Sequence, residues 1–494
     1  RAEQCRSGGL VGRVDHRTDR GQRVKNLFQQ DLNVANVGLA GFAANITAAG
    51  GHATQLAWTP PASADAAVGW TLANLIADPR VDDANRVAFD RYLAAQPRLV
   101  DVVLAAQAIP ALGPGERRIL HAGPPIAWPD MCGPQRGAIA GAIRYEGWAD
   151  NLEDAERLAE DGAVALEPCH GHGAVGPMAG VISPSMPVWV VENAAAGNRA
   201  YCNLNEGLGK VLRFGANSDA VLDRLRWLGG EFFTTVQTAV RGMADHDLKP
   251  LMAQALHMGD ELHNRNAAAS GLLFKRLMLA LLDTDTPTAT LGRVCGFMAG
   301  NDHFFLNVSM AASKSMSDAA AGVPASSMVT VMARNGVNFG IKLSGTGDEW
   351  FQAPANPVDG LYFPGYSSHD AAADLGDSAI TETNGLGGFA MAASPAIVQF
   401  VGGTPADATA NSRRMLAITL GTNPAFTLPQ LNFGGTPAGI DARLVVDSGV
   451  LPIINTGIAH RQAGVGQIGA GITTAPMQCF REAIVALAAR GATA

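Results

Sequence analysis

Glycine, proline or a charged side chain interrupts every apolar run in this chain before it reaches the roughly 18 residues that a membrane-spanning helix needs. With 57 Gly and 27 Pro among 494 residues, that punctuation allows short strands and medium helices joined by tight turns. A chain of this length also exceeds what one hydrophobic core serves. The pattern predicts a multi-domain α+β protein of mixed sheets, glycine-rich loops and a helical insertion. Hydrophobic residues at 47% and charged residues at 16% indicate a well-buried globular chain. A net charge of -8 argues against binding nucleic acid, which requires a basic face to displace phosphate counterions. Cys5, Cys132, Cys169, Cys202, Cys295 and Cys479 lie far apart with no Cys-x-x-Cys pair. They read as free thiols in a reducing, cytoplasmic compartment, with no membrane partner.

Residues 1–25 lack an apolar centre and read as a disordered lead-in. Residues 26–110 form a small α/β segment: NVANVGLAGFAANITAAGGHATQLAW, from Asn33 to Trp58, has the order strand, helix, Gly-Gly stop, strand. Helical stretches are predicted from Ala66 to Ala77 and from Asp83 to Ala95. Short apolar runs separated by Gly, Pro and Asn (ILHAG, AVALEP, AGVISPSMPVWVVEN, KVLRFG) mark residues 111–216 as the first part of an α+β domain. Apolar spacing of three and four predicts a helical domain or insertion over 217–321. Strands return over 322–494 (MVTVMARN, NFGIKLSG, DGLYFPGY, ARLVVDSG), before a closing helix from Ala475 to Ala488.

Five segments carry more polar chemistry than packing demands. In HAGPPIAWPDMCGP, a Gly and Pro-Pro turn sits beside His121 and Trp128. In EPCHGHGAVGPMAG, His170 and His172 are two apart and would share one face of a strand. Two imidazoles without further local ligands suit proton transfer better than a metal, so no metal or other cofactor is predicted. GNRAYCNLNEGLGKVLRFG groups Arg199, Lys210 and Arg213 around Asn203, Asn205 and Glu206, an arrangement suited to a small anion or to an ordinary solvated turn. HMGDELHNRN, read as a helix, would align His257, Glu261 and Arg265 on one face. The C-terminal group places Arg334, Asn335, Lys342, Asp377, Glu382, Asn455, His460, Gly466 and Gln467 at the edges of glycine loops, whose N–H groups can cradle an anion. GVGQIG follows HRQA rather than a strand, which argues against a dinucleotide loop.

LHAGPP (120–125), PCHGHGAVGPMAG (168–180), SMPVWVVEN (185–193), GNRAYCNLNEGLGKVLRFGA (197–216), GDSAITET (376–383) and NTGIAHRQAGVGQIGAG (455–471) together resemble the YlbE/AllG family. The likeness runs from about residue 86 to the C-terminus. It implies an α+β subunit of an oxamate carbamoyltransferase of allantoin breakdown, which interconverts oxalurate and phosphate with oxamate and carbamoyl phosphate. The partners it implies are an FdrA-like subunit and a third small subunit, with homo-oligomer formation also possible. Such chemistry joins two anions at one planar carbon, so it requires gathered positive charge and a proton carrier. Arg199, Lys210, Arg213, Arg334 and Lys342 are the candidate cations. His170, His172, His257 and His460 are the candidate proton carriers, with Glu206 beside them. Two other functions fit the sequence: a non-catalytic scaffold of an FdrA-type complex, and a transferase or hydrolase for another ureido or amide substrate.

Overall fold

The computed structural model describes residues 33–56 and 65–491. The chain divides into two compact units, residues 1–60 and 61–494. In the first unit, β1 (Asn33–Val37), α1 (Ala40–Ala48) and β2 (His52–Leu56) form a βαβ motif with parallel strands in register from Asn33↔His52 to Val37↔Leu56. Gly50, at φ +86°, turns the chain out of α1. The expected lead-in, residues 1–25, lies outside the described residues.

The second unit opens with α2 (Ala66–Ala77) and α3 (Pro79–Ala94). Both helices start where the sequence provides an N-cap: the Asp65 carboxylate accepts from Ala67 N–H at 2.8 Å and that of Asp78 from Arg80 N–H at 2.9 Å. Strand β3 (Pro97–Leu104) follows, then β4 (Arg118–His121), α4 (Gly133–Tyr145), β5 (Ala165–Pro168), β6 (Ala174–Val175), β7 (Val181–Ile182), β8 (Pro187–Asn193) and β9 (Arg199–Asn203). They form two mixed sheets, ordered β3-β8-β9-β6 and β5-β4-β7.

Helices α5 (Asp219–Trp227), α6 (Phe233–Gly242), α7 (Leu248–His257), α8 (Ala267–Leu282), α9 (Thr288–Ala299) and α10 (Leu306–Ala319) occupy the predicted helical stretch. They share their interior with the strands before them, since Phe232 and Phe304 pack in one core with Trp189 of β8. Helix α10 is buried on every side from Leu306 to Ser317, including Lys314, and lies against β8 and β9.

Three further sheets complete the unit. Strands β10 (Val329–Asn335), β11 (Asn338–Leu343), β12 (Phe351–Pro354) and β14 (Leu375–Gly376) make one, ordered β12-β11-β10-β14. Strand β13 (Asp359–Tyr362) joins β18 (Gln467–Thr474) and β17 (Ile453–Ala459), and β15 (Thr419–Leu428) pairs with β16 (Gly434–Ile440). Helices α11 (Ala442–Ser448) and α12 (Met477–Gly491) pack together. The architecture is α+β with several small mixed sheets. Among the described residues no helix is long and apolar enough to cross a membrane.

Four local expectations are corrected. ARLVVDSG is the helix α11 rather than a strand, because Asp441 caps it at Arg443 N–H (2.9 Å) and Gly449, at φ +71°, ends it. KVLRFG contains a 3₁₀ turn at Leu212–Phe214, held by the Glu206 carboxylate accepting from Leu212 and Arg213 N–H (2.8 and 3.1 Å). CHGH is also a 3₁₀ turn, closed by Gly173 at φ +67°, so His170 and His172 do not share a strand face. HMGDELHNRN leaves the helix at His257, where Gly259 (φ +98°) turns the chain, so residues 260–266 are a loop.

Candidate functional site

That loop forms one wall of the most informative cleft in the second unit. Its outer part, about 400 Å³, is bordered by Leu208, Arg265, His303, Phe363, Phe400 and Gln467. Against its floor lies a niche of about 20 Å³ lined by Arg213, His263, Asn264, His303, Ser378 and Gln467. Asn264, His303 and Gln467 line both, so the two adjoin.

Two non-glycine residues are held in the left-handed region beside the floor, Met178 at φ +56° and Leu262 at φ +69°. Such conformations cost free energy and persist only where the surroundings over-determine them. Against Met178 lies Gly376: a β-carbon on it would lie 2.4 Å from Met178 N, so the two backbones meet directly. At Leu262 the flanking carboxylates fix the chain. Glu261 accepts from His263 N–H (2.9 Å) and from Arg265 N–H, and Asp260 accepts from Ala269 N–H (2.8 Å).

Arg213 supplies positive charge at the floor. Its residue is 4% exposed, its Nη2 donates to Gly207 O at 2.9 Å, and its Nε has no partner. Burial lowers it to about 10, which leaves the guanidinium charged at neutral pH. The guanidinium also lies 5.1 Å over the Phe214 ring. Arg265 is a second cation at the rim, 3.6 Å from Asp260. Burial raises Asp260 to about 6.

Three amides have unused hydrogen-bonding capacity. Asn264 Nδ2 is buried without a partner, as are both side-chain amide atoms of the fully buried Asn455. Asn455 is two residues before Gly457 on β17, and Gly457 lines the floor, so both project from the same face of the strand. Gln467 donates to Gly469 O at 2.9 Å, which leaves its carbonyl oxygen for the cleft.

Two imidazoles complete the floor. His303 is held down to about 4 by burial, and next by the nearby Arg213 guanidinium, so it is neutral at physiological pH. His263 Nδ1 lies 2.8 and 3.0 Å from the two oxygens of Glu382. Glu382 also accepts from Thr381 Oγ1–H (3.0 Å) and Gly388 N–H (2.9 Å). Glu261, buried nearby, is pushed up to about 8 by burial and by the charge of Glu382.

The structure places the residues singled out in the sequence in three groups. Arg213 and Gln467 line the cleft, Asn455 lies buried two residues from the lining Gly457, and Glu382 holds His263. Exposed Lys210 adjoins Gly209 at the rim, and Gly466 (φ +111°) lets two loops approach there, since a β-carbon on it would lie 3.2 Å from Gly209 O.

The second group supports the cleft from behind. Asn205 donates to Asn307 Oδ1 (2.8 Å), Asn307 Nδ2 donates to Asn203 Oδ1 (2.8 Å), and Glu206 holds the turn that carries Arg213. Arg334 is fully buried; its Nε donates to Asp374 at 2.7 Å and its Nη1 to Gly376 O at 2.8 Å. His460 accepts at Nδ1 from Gln462 N–H (2.9 Å) within its own loop.

The third group lies apart. The Asp377 carboxylate ties two loops by accepting from Gly123 and Gly176 N–H (2.7 and 2.9 Å), with buried His170 Nε2 at 3.4 Å. Asn335 donates to Pro124 O (3.1 Å). Lys342 pairs with exposed Asp348 (3.1 Å), and its ammonium lies 5.1 Å over Trp350. His172 pairs with Glu167, Arg199 with Glu192, and His257 with Thr427. None of the third group lines the cleft.

Sequence reading did not single out His263, Asn264, His303 and Ser378 as site residues. The available signal was Gly259, which converts HNRN from a helix face into a loop. Among the described residues no cluster of three or more His, Cys, Asp or Glu is placed to hold a metal ion, and the five described cysteines are free thiols.

Fold and site together define a multi-domain α+β protein with an arginine-floored cleft backed by buried carboxylates. A family model described as oxamate carbamoyltransferase subunit AllG matches residues 164–378, a span that holds Arg213, His263, Asn264, His303 and Ser378. The chain is 47% identical over 410 residues to oxamate carbamoyltransferase subunit AllG of Escherichia coli, covering 83% of this chain and 98% of that protein. It is 45% identical over 464 residues to the uncharacterized YahG of Escherichia coli, covering 93% of this chain and 98% of that protein. It also matches the crystal structure of a conserved protein of unknown function from Enterococcus faecalis V583 with a TM-score of 0.81 and 48% identity, over 83% of this chain and 98% of that one. The chain belongs to the AllG family.

Proposed function

We propose that this chain is a subunit of a carbamoyltransferase that interconverts oxalurate and phosphate with oxamate and carbamoyl phosphate, and that the Arg213 cleft takes part in the reaction. The partners in this reading are an FdrA-like subunit and a third small subunit. The observation that carries it is the pair of polar groups on floor-lining residues that folding leaves unpaired: Arg213 Nε and Asn264 Nδ2. A buried donor without a partner is costly, and a planar anionic substrate would supply the missing acceptor.

The floor matches the reactants in kind. The Arg213 guanidinium suits a carboxylate or a phosphate oxygen. The Gln467 carbonyl suits the N–H of an amide or carbamoyl group. Arg265 at the rim provides a second positive charge for a reaction that brings two anions together. Water is restricted by the narrow niche and the apolar Phe214 and Leu306 beside it.

The test is formation of carbamoyl phosphate from oxalurate and phosphate by the purified complex. Asn264→Ala removes an amide nitrogen that the fold does not use, so it is expected to leave stability unchanged and to raise a substrate KM about tenfold, the loss of roughly one hydrogen bond to a charged group. Unchanged kinetics for Asn264→Ala and Arg213→Lys in an assembled complex would favour the non-catalytic scaffold.

A further inference from the structure

We propose that His263 is the catalytic proton carrier of this cleft and that Glu382 is its positioning residue, a role that rests on the carbamoyl-transfer reading above. The two ring nitrogens of His263 have different surroundings. Nδ1 faces both oxygens of Glu382, and an ionised carboxylate only accepts, so Nδ1 carries the hydrogen. Nε2 is then the lone-pair nitrogen of a ring that lines the floor.

The pair is built rigidly. Gly387 (φ +55°) leaves room for Glu382: a β-carbon there would lie 2.1 Å from Glu382 Oε1 and 3.0 Å from His263 Cβ. Gly388 N–H and Thr381 Oγ1–H hold the carboxylate. Leu262, with its left-handed backbone, and the Glu261 carboxylate hold the peptide that presents the ring. The groups bearing charge or protons around the ring are Glu382, Glu261, Arg213 and His303. Of the two floor imidazoles, only His263 has a carboxylate on its far nitrogen, the arrangement that fixes a tautomer and stabilises the positive charge formed when Nε2 takes a proton.

One proton moves in the reaction. As a phosphate oxygen bonds to the ureido carbon of oxalurate, the bond from that carbon to the oxamate nitrogen breaks, and the electron pair stays on nitrogen. His263 Nε2 accepts the hydrogen of the attacking hydrogen phosphate and returns it to that nitrogen. Oxamate leaves as a neutral amide with its carboxylate, carbamoyl phosphate carries the remaining charge, and the histidine ends as it began. Catalysis of the reverse direction takes the proton from the oxamate amide.

The experiment compares the wild-type complex with complexes carrying His263→Gln, His263→Ala, Glu382→Gln and Glu382→Asp. His263→Gln is expected to lower kcat about 10²–10⁴-fold with little change in KM, and added imidazole to restore part of the activity of His263→Ala. Glu382→Gln should lower kcat and move its pH profile, and Glu382→Asp should recover part of the loss. Thermal stabilisation of His263→Gln by inorganic phosphate would show that the variant remains folded with its anion site intact. An inactive wild-type complex would overturn the carbamoyl-transfer reading. An active wild type with full turnover in His263→Gln would overturn this inference alone. Loss of stability in Glu382→Gln without any change in the pH profile would overturn the positioning role.

Discussion

At the residue scale, the cleft depends on side chains and missing side chains that do not stand out as a motif. Gly387 is the clearest case, since its backbone angle and the absence of a β-carbon together admit Glu382. Gly387→Ala is expected to destabilise the protein by about 1–3 kcal/mol, from overpacking and left-handed strain together. It should also lower turnover by displacing Glu382 from His263. Urea denaturation and kcat measured on the same preparation check both effects, and unchanged values would show that the segment relaxes freely. Arg213, Asn455, Glu382 and Gln467 were legible because each lies at a glycine loop with polar neighbours. His263 and Asn264 were not, because periodicity assigned them to a helix that Gly259 ends.

At the element scale, β10 and the segment 374–388 organise the site. Arg334 of β10 pairs with Asp374 in a bridge where both side chains are at most 1% exposed. It also reaches Gly376 O and, through Nη2, Thr456 Oγ1 at 3.2 Å on β17. Removing one partner of such a pair leaves an uncompensated buried charge. Asp374→Ala is therefore expected to cost about 3–5 kcal/mol, read as a fall in denaturation midpoint, whereas Arg199→Ala at its exposed pair should cost under about 1 kcal/mol. Equal small effects would contradict the structural weight given to Arg334. Helix α2 could be read from sequence at its observed bounds, whereas α3 starts at Pro79, ahead of the expected Asp83, because the Asp78 cap and Pro79 open a further turn. Helix α11 could not, because its Leu-Val-Val run favours a strand locally and only the Asp441 cap and Gly449 impose the helix.

At the scale of the whole molecule, buried carboxyls link folding to pH. Glu261 is raised to about 8 in the folded chain from 4.5, and Asp260 to about 6 from 3.8. Between each pair of values the folded state binds the extra proton, so stability falls as pH rises, from about pH 4 to 6 for Asp260 and onward to about pH 8 for Glu261. Glu261→Gln should flatten the decline between pH 6 and 8, measured as denaturation midpoint against pH. A slope identical to wild type there would exclude Glu261 as its source. The α+β class and the helical stretch were legible from punctuation and spacing. The merging of that stretch into one core with β8 was not, because Trp189, Phe232 and Phe304 meet only through long-range packing.

Among the described residues the cleft at Arg213 has a rival for the anion, the place where His170, Asp377 and Lys342 lie buried without lining the cleft. A crystal structure of the protein with oxamate and phosphate separates them most directly. The cleft account predicts oxamate or phosphate density within hydrogen-bonding distance of Arg213 and Asn264. Density at His170 and Lys342, with the Arg213 floor holding only water, would contradict it.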